Sequence, residues 1–434
     1  MRVALERHFR FDEHKTNWQT EILAGVTTFV TMAYIIFVNP AILSETGMPL
    51  GAVTIATCLC AAFGSIMMGL LANLPLALAP GMGLNAYFTY TVVKGMGVPW
   101  QTALGAVFLS GVLFLLLTAT GLRQQLVAAI PQELHAAVAG GIGLFLAFIG
   151  LRNAGIIVPS AATTVTLGNL NAPATALACL GILIIAILQV LRVKAAMLIG
   201  VLATMAVGIA FGQVQWHPTP VHLADLVQTA GKLDIRGALG LHALEIIFVF
   251  LFVDLFDNIG TLLAVTERAG LMAKDGSIPR LNRIFFADAT ATVAGSLLGT
   301  STVTSYIESA AGVAAGGRTG VTAIVTGLLF LVALFVAPLV GAIPSFATAP
   351  ALILVGAMML GCAARIDWEE PRTAIPAFLT LVTIPLTYSI ATGLSLGIVS
   401  FAILELATGR GSRKHWMLYL LAVLFTVRLI YMTQ

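Results

Sequence analysis

Asn73-Leu-Pro-Leu-Ala-Leu-Ala-Pro80-Gly-Met-Gly83-Leu-Asn85-Ala-Tyr-Phe88 is apolar enough to sit in a bilayer, yet its two prolines and two glycines forbid a continuous helix and allow one to start only near Gly83. A second stretch, Gly299-Thr-Ser-Thr-Val-Thr-Ser-Tyr-Ile-Glu308-Ser-Ala-Ala-Gly312, has the same character. Its Thr/Ser/Val run favours a short extended piece, with a helix beginning near Tyr306. Unwound backbone at membrane depth is tolerated only where protein or a watery cavity satisfies its N–H and C=O groups. Interrupted segments at matching places in two halves of a chain therefore point to a binding site at mid-membrane.

The rest of the chain supplies the membrane context. Of its 434 residues 59% are AVILMFWYC and only 9% are charged, with a mean hydropathy of +0.99, which excludes a water-soluble domain. Runs such as Ala103 to Leu117, Ala176 to Leu191 and Gly320 to Leu339 approach, with their flanks, the roughly 20 residues that cross a hydrocarbon core. Spans are predicted near 19–39, 51–72, 74–93, 101–120, 134–151, 172–191 and 195–212. A polar connection holding Pro218 and Pro220 follows, and spans resume near 240–266, 283–299, 300–316, 319–338 and 348–363. Gly64-Ser65 closes the second span much as Gly295-Ser296 closes the ninth, each just before a broken segment. The tail offers three apolar stretches, 374–390, 392–408 and 415–432, where a second set of seven leaves room for two. Pro376 and Pro385 break the first, which is expected to be a half-helix or an element lying against the bundle. The expected fold is thus an all-α polytopic membrane protein of about fourteen transmembrane segments in two inverted seven-segment repeats, with short extended pieces in the third and tenth.

Basic residues gather before the first span, near Arg192 and Lys194, and from Arg268 to Arg283, which places the N-terminus and those loops in the cytoplasm. On this count Arg410, Arg413 and Lys414 would face outward, against the same bias. No cleavable leader precedes the first span. The net charge of +3 is spread along loops and reports orientation, not a nucleic-acid partner. Cys58, Cys60, Cys179 and Cys362 lie in apolar segments without paired spacing, and the histidines, His217 and His222 among them, fall mostly in loops or at helix ends, so no metal or cofactor is expected.

Between Ile22 and Ala224 the only acids are Glu45 and Glu133, both beside span ends. The second half places Asp254, Asp257, Asp288 and Glu308 inside spans, where an ionisable group is costly and marks function by default. Asp254, Asp257 and Thr261 share one helical face and should line one cavity. No Lys or Arg lies in these spans, so each acid needs a proton, a hydrogen-bonding neighbour or a ligand. Asp288 is read as a tie between helices. Tyr34, Tyr87, Phe88 and Tyr306 lie near the breaks and offer rings for stacking or packing. Gly312-Val-Ala-Ala-Gly-Gly317-Arg318-Thr319 looks like a phosphate loop with arginine for lysine, but it joins two apolar helices, so a tight turn with Arg318 as interfacial anchor is expected.

Thr27-Thr-Phe-Val-Thr-Met-Ala33-Tyr-Ile-Ile-Phe-Val-Asn-Pro40, Ala79-Pro-Gly-Met-Gly-Leu-Asn-Ala86, Asp254-Leu-Phe-Asp-Asn-Ile-Gly-Thr261 and Tyr306-Ile-Glu-Ser-Ala-Ala-Gly-Val-Ala-Ala-Gly-Gly-Arg-Thr-Gly320 resemble AzgA-type purine permeases of the nucleobase/cation symporter and nucleobase-ascorbate transporter superfamily, along nearly the whole chain. The resemblance implies a multi-pass protein of the plasma membrane, or of the inner membrane in a Gram-negative cell, that works as a homodimer and is not an enzyme. It implies a cytoplasmic segment 1–18, a core domain over 19–120 and 240–338, a gate domain over 134–212 and 348–434, and an extracytoplasmic loop 213–239. It implies proton-coupled rather than sodium-coupled uptake of hypoxanthine, guanine or adenine by an elevator movement. Asp257, Glu308, Asn85, Thr261, Ala33 and Tyr306 would then bind the base, and Glu308, Asp257 and Asp254 would serve proton coupling.

The chemistry agrees, because a purine edge sets N–H donors beside ring-nitrogen acceptors, which a carboxylate and an amide can meet. Asn258-Ile259 departs from the smaller pair common in such members, so the preferred base stays open. The alternatives are a carrier of xanthine, uracil or an anion. Two carboxylates would repel an anion. A membrane aspartyl protease would need acids on facing helices, and the closest acids here share one helix.

Overall fold

A helix of about 20 residues crosses a hydrocarbon core, and eight helices among the described residues are long and apolar enough to do so. A computed structural model describes residues 2–214, 221–272, 278, 280–409 and 416–431. His217, Pro218, Pro220, Arg410, Arg413 and Lys414 lie outside the described residues.

The first span, Trp18–Ser44, breaks at Ala33 and Tyr34; the second is Leu50–Ala72. The third consists of a strand, Leu78–Pro80, a helix, Met82–Ala86, and a π-helical continuation, Tyr87–Gly95. Trp100–Ala119 is the fourth span, and a short helix, Leu122–Ala129, leads to the fifth, Gln132–Asn153. A hairpin, Ile157–Ser160 with Thr164–Leu167, precedes the sixth and seventh spans, Pro173–Val190 and Ala196–Ala210. The second set opens with Leu241–Ala269 and Leu281–Leu298. The tenth span is again a strand and a short helix, Val303–Ser305 and Ser309–Ala314, as the Thr/Ser/Val run predicts. That helix starts three residues later than Tyr306, after a turn that carries Glu308. Gly320–Ala333, Ser345–Leu360, Pro371–Thr387 and Ile390–Ala407 complete fourteen.

The packing repeats between halves. The second span lies on the eleventh as the ninth lies on the fourth, and the first runs along the eleventh as the eighth runs along the fourth. The fifth meets the twelfth, the sixth and seventh pair beside the twelfth, and the thirteenth and fourteenth pair beside the fifth. Spans one to four and eight to eleven therefore form one group, and spans five to seven and twelve to fourteen another. The second and eleventh approach so closely that a Cβ on Gly320 would lie 2.0 Å from the Gly69 carbonyl oxygen.

The stretch 374–390 is not a half-helix. Pro371 stands in the first turn, where it lacks no bond, and Pro376 and Pro385 each remove one ladder bond toward an end, so the helix runs unbroken over Pro371–Thr387. The fourteen spans are then complete at Ala407, and Trp416–Tyr431 is an additional helix. It is tied to the eighth span by Arg428 and Glu245, 2.6 Å apart and buried, with Arg428 also donating to Ser395 at 3.1 Å.

The glycine-rich loop before the eleventh span turns at Gly316, whose φ is +106°. It does bind an anion, but one of the chain's own. The Glu21 carboxylate, fully buried, accepts from the backbone N–H of Arg318 at 3.0 Å and of Thr319 at 3.3 Å, and from the Thr322 hydroxyl at 2.6 Å. Arg318 turns its guanidinium onto the carbonyls of Val313 and Gly317, both at 2.7 Å.

The expectation that the second-half acids lack basic partners fails for Asp288. Arg123, on the short helix Leu122–Ala129 outside the spans, meets Asp288 at 2.9 Å with both side chains buried. Its guanidinium lies between the rings of Phe114 and Phe285, 4.0 Å from each centroid. Removing one partner of such a pair strands the other charge, so Arg123→Gln should cost about 3–5 kcal/mol. The loss is read as a lower unfolding temperature in detergent, largely recovered by adding Asp288→Asn. An unchanged unfolding temperature for Arg123→Gln would remove the pair from what holds the ninth span.

Candidate functional site

The two broken spans meet each other. Leu78, Ala79 and Pro80 pair antiparallel with Ser305, Thr304 and Val303, extended by Gly81 N–H to Thr302 at 2.9 Å and Tyr306 N–H to Ala77 at 3.0 Å. Their outer edges are closed by hydroxyls. Ser65 of the second span accepts the Leu78 N–H at 2.9 Å and lies 3.1 Å from its carbonyl, and Thr292 of the ninth serves Val303 in the same way, at 3.1 Å each. Every residue of both strands is buried.

Beside this pair lies a narrow cleft of about 60 Å³. Asp257, Gly260 and Thr261 of the eighth span line it together with Thr304 to Glu308 of the tenth and Met82 and Gly83 of the third. The Thr304 hydroxyl lies beside the Asp257 carboxylate. Glu308 accepts a 2.6 Å hydrogen bond from the Tyr34 hydroxyl, and Tyr34 is placed there by the break in the first span. Tyr306 walls the cleft while its hydroxyl donates to the Pro80 carbonyl at 2.5 Å. The part of the lining that comes from the other helix group is apolar: Ala139 of the fifth span, Val355 and Met359 of the twelfth, and Cys362 just beyond it.

Asp257, Glu308, Thr261 and Tyr306 are thus brought together, and three predicted residues are not. Asp254 is fully buried and does not line the cleft; it sits three residues, roughly 4.5 Å of helix rise, before Asp257, in the field of Asp288 and Arg123. The shared helical face is real, but it is longer than the cavity. Asn85 is also fully buried and donates to Asn39 at 2.5 Å, while Asn39 donates to Thr57 at 2.7 Å and Thr300 at 3.1 Å. That network lies behind the site. Ala33 is buried at the break in the first span and is not among the lining residues. Tyr87 and Phe88 pack on Phe250 instead of facing the cleft. Sequence reasoning missed Thr304 and Ser305 as lining groups, although their place in the extended run was the available signal. It also missed the Tyr34 hydroxyl and the twelfth-span wall, which depend on contacts far apart in the chain.

Ile307, Glu308 and Cys362 also line a vestibule of about 900 Å³, whose rim carries Arg192, Lys194, Arg268 and Arg365. Those cations mark it as cytoplasmic. Two carboxylates, three hydroxyls and an aromatic ring around a slot can hydrogen-bond the edge of a flat polar molecule and cover its face.

A profile described as a permease family matches residues 19–396. The adenine permease AdeP of Escherichia coli K12 is 44% identical over 427 residues, covering 98% of this chain and 96% of that protein. The guanine/hypoxanthine permease PbuG of Bacillus subtilis 168 is 45% identical over 443 residues, covering 99% and 100%. Among solved structures, the transmembrane domain of the cyanobacterial bicarbonate transporter BicA superposes with a TM-score of 0.65 at 16% identity, over 88% of this chain and 97% of that one, a likeness of fold alone. The chain belongs to the permease family whose profile it matches, a multi-pass membrane transporter that resembles the AzgA-type purine permeases along its whole length.

Proposed function

We propose that the protein takes up purine nucleobases together with a proton. The observation that carries this reading is that Asp257 and Glu308 line one cleft beside the strand pair. A neutral base brings N–H donors that both carboxylates accept, and Thr261, Thr304 and Ser305 can meet its ring nitrogens and carbonyl. Two buried carboxylates that share one slot with hydroxyls but no basic side chain cannot both stay charged without large cost, so one of them takes a proton with the substrate, and a proton rather than sodium is the coupled ion. The relatives' names support purines as the class. Adenine and guanine/hypoxanthine permeases match almost equally well, at 44% and 45% identity, so they do not choose the base.

Spans one to four and eight to eleven form the core in this reading, with Asp254 as a third acid of the proton path and Asn85 and Ala33 as supports behind the site. Spans five to seven and twelve to fourteen form the gate. The core slides past the gate as an elevator, and the gate pairs with that of a second copy. An anion carrier of the same fold is disfavoured, because both acids would repel its substrate at this distance from solvent.

Cells lacking their own purine permeases should gain uptake of labelled hypoxanthine, guanine or adenine when they make this protein, and a protonophore should abolish the accumulation. Competition by each purine, xanthine and uracil then ranks the substrates. Asp257→Asn and Glu308→Gln should each lower uptake at least about a hundredfold with the protein still in the membrane, as expected when about 3 kcal/mol of ligand contact is lost. Undiminished transport in either variant removes that residue from the mechanism. Tyr34→Phe keeps the ring but removes the hydrogen bond to Glu308, and should raise the KM about tenfold. A KM within twofold of the parent would show that the phenol does not position the acid.

A further inference from the structure

The cytoplasmic vestibule is more than an entrance. Arg192, Lys194, Arg268 and Arg365 stand on its rim against one exposed acid, Glu267. Among the described residues Glu267 pairs with Arg365 alone, at 3.9 Å, with both side chains half exposed or more. Arg192, Lys194 and Arg268 form no ion pair among the described residues. The positive-inside bias accounts for cations near this face, but not for four of them around one mouth continuous with the base cleft. They also come from both helix groups. Arg192 and Lys194 lie in the turn between the sixth and seventh spans and Arg365 just past the twelfth, while Arg268 ends the eighth.

We propose that this vestibule binds a purine nucleoside 5′-monophosphate as an inhibitor from the cytoplasmic side. The proposal rests on the purine reading above. With the base against Asp257 and Glu308, the sugar leaves the cleft past Ile307 and Cys362, which line both spaces. The phosphate dianion then reaches the arginines, whose forked donors suit it. A phosphate held by Arg268 on one side and by Arg192, Lys194 and Arg365 on the other ties the two helix groups together and stops one from moving past the other. The charged tail does not fit the narrow cleft, so the nucleotide is not carried. The class of reaction that joins an imported base to a phosphorylated sugar would thus restrain its own supply.

Right-side-out membrane vesicles expose the vestibule to their lumen and can be loaded with a purine 5′-monophosphate, the matching nucleoside, or inorganic phosphate. The monophosphate should reduce initial uptake of the labelled base at least about fivefold, less so at high salt because exposed cations are screened. The nucleoside and inorganic phosphate should leave it within twofold. Arg192→Asn combined with Lys194→Gln, which suits the left-handed backbone at 192 where φ is +59°, should raise the inhibiting concentration about tenfold with uptake into unloaded vesicles unchanged. Equal inhibition by the nucleoside or by inorganic phosphate, or unaltered inhibition in the double variant, overturns the proposal. Failure of unloaded vesicles to take up any purine would overturn the transport reading instead. Binding is then read separately as thermal stabilisation of the purified protein by the monophosphate: its presence in the parent and loss in the double variant support the vestibule site, and its absence in the parent overturns it.

Discussion

No backbone polar group can be left unpaired in the middle of a bilayer, and the architecture follows from how this chain meets that demand. Prolines and glycines unwind the third span, and a Thr/Ser/Val run unwinds the tenth, which exposes N–H and C=O groups that would each cost about 1–3 kcal/mol if left bare. Each broken segment supplies the partner for the other, and the two remaining strand edges are closed by one hydroxyl apiece, Ser65 and Thr292. This solution works only if the halves of the chain meet at mid-membrane in opposite orientations. The close approach of the second and eleventh spans at Gly69 and Gly320 brings them there. The cleft lies beside the strand pair because that is where backbone has been taken out of helices.

Buried acids sort themselves by what they face. Glu21 closes the glycine-rich loop, Glu245 holds the additional C-terminal helix through Arg428, and Asp288 is neutralised by Arg123 between two phenylalanine rings. Each of these three has a partner within the protein, and none of them lines the cleft. Asp257 and Glu308 differ because both line open space, and the hydroxyls of Thr304 and Tyr34 beside them leave room for a ligand. Charge within a span marks an acid as worth a reason, but only its partners tell a ligand site from a tie between helices.

That distinction also sets how much the sequence could disclose. The two breaks, the repeat, and Asp257, Thr261, Tyr306 and Glu308 were legible because proline, glycine and in-span charge are local signals. Asp254 falls outside the cleft because helical periodicity specifies a face but not where along it a cavity ends. Asn85 falls outside it too, held by Asn39 of another span, and Arg123 was invisible to a count of basic residues within spans. Pro376 and Pro385 looked like helix breakers but stand toward the ends of a continuous helix. With that helix counted as a span, Ala407 ends the fourteenth, and an even count returns the chain to the side of its N-terminus.

The division of labour around the cleft bears on how a carrier of this kind could move. Asp257, Thr261, Thr304, Ser305, Tyr306 and Glu308, which supply the directional contacts, all belong to the group formed by spans one to four and eight to eleven. The other group contributes Ala139, Val355, Met359 and Cys362, which fill space without fixing direction. Hydrogen bonds resist shear because they weaken steeply with angle and distance, whereas apolar contact is non-directional and re-forms after a small slide. Under the proposed elevator movement, a ligand held this way would keep its polar contacts while its carrier group translates, and the surface it slides past would need only to stay covered. Had the two walls shared the polar groups, each crossing would break hydrogen bonds in an environment with no water to replace them.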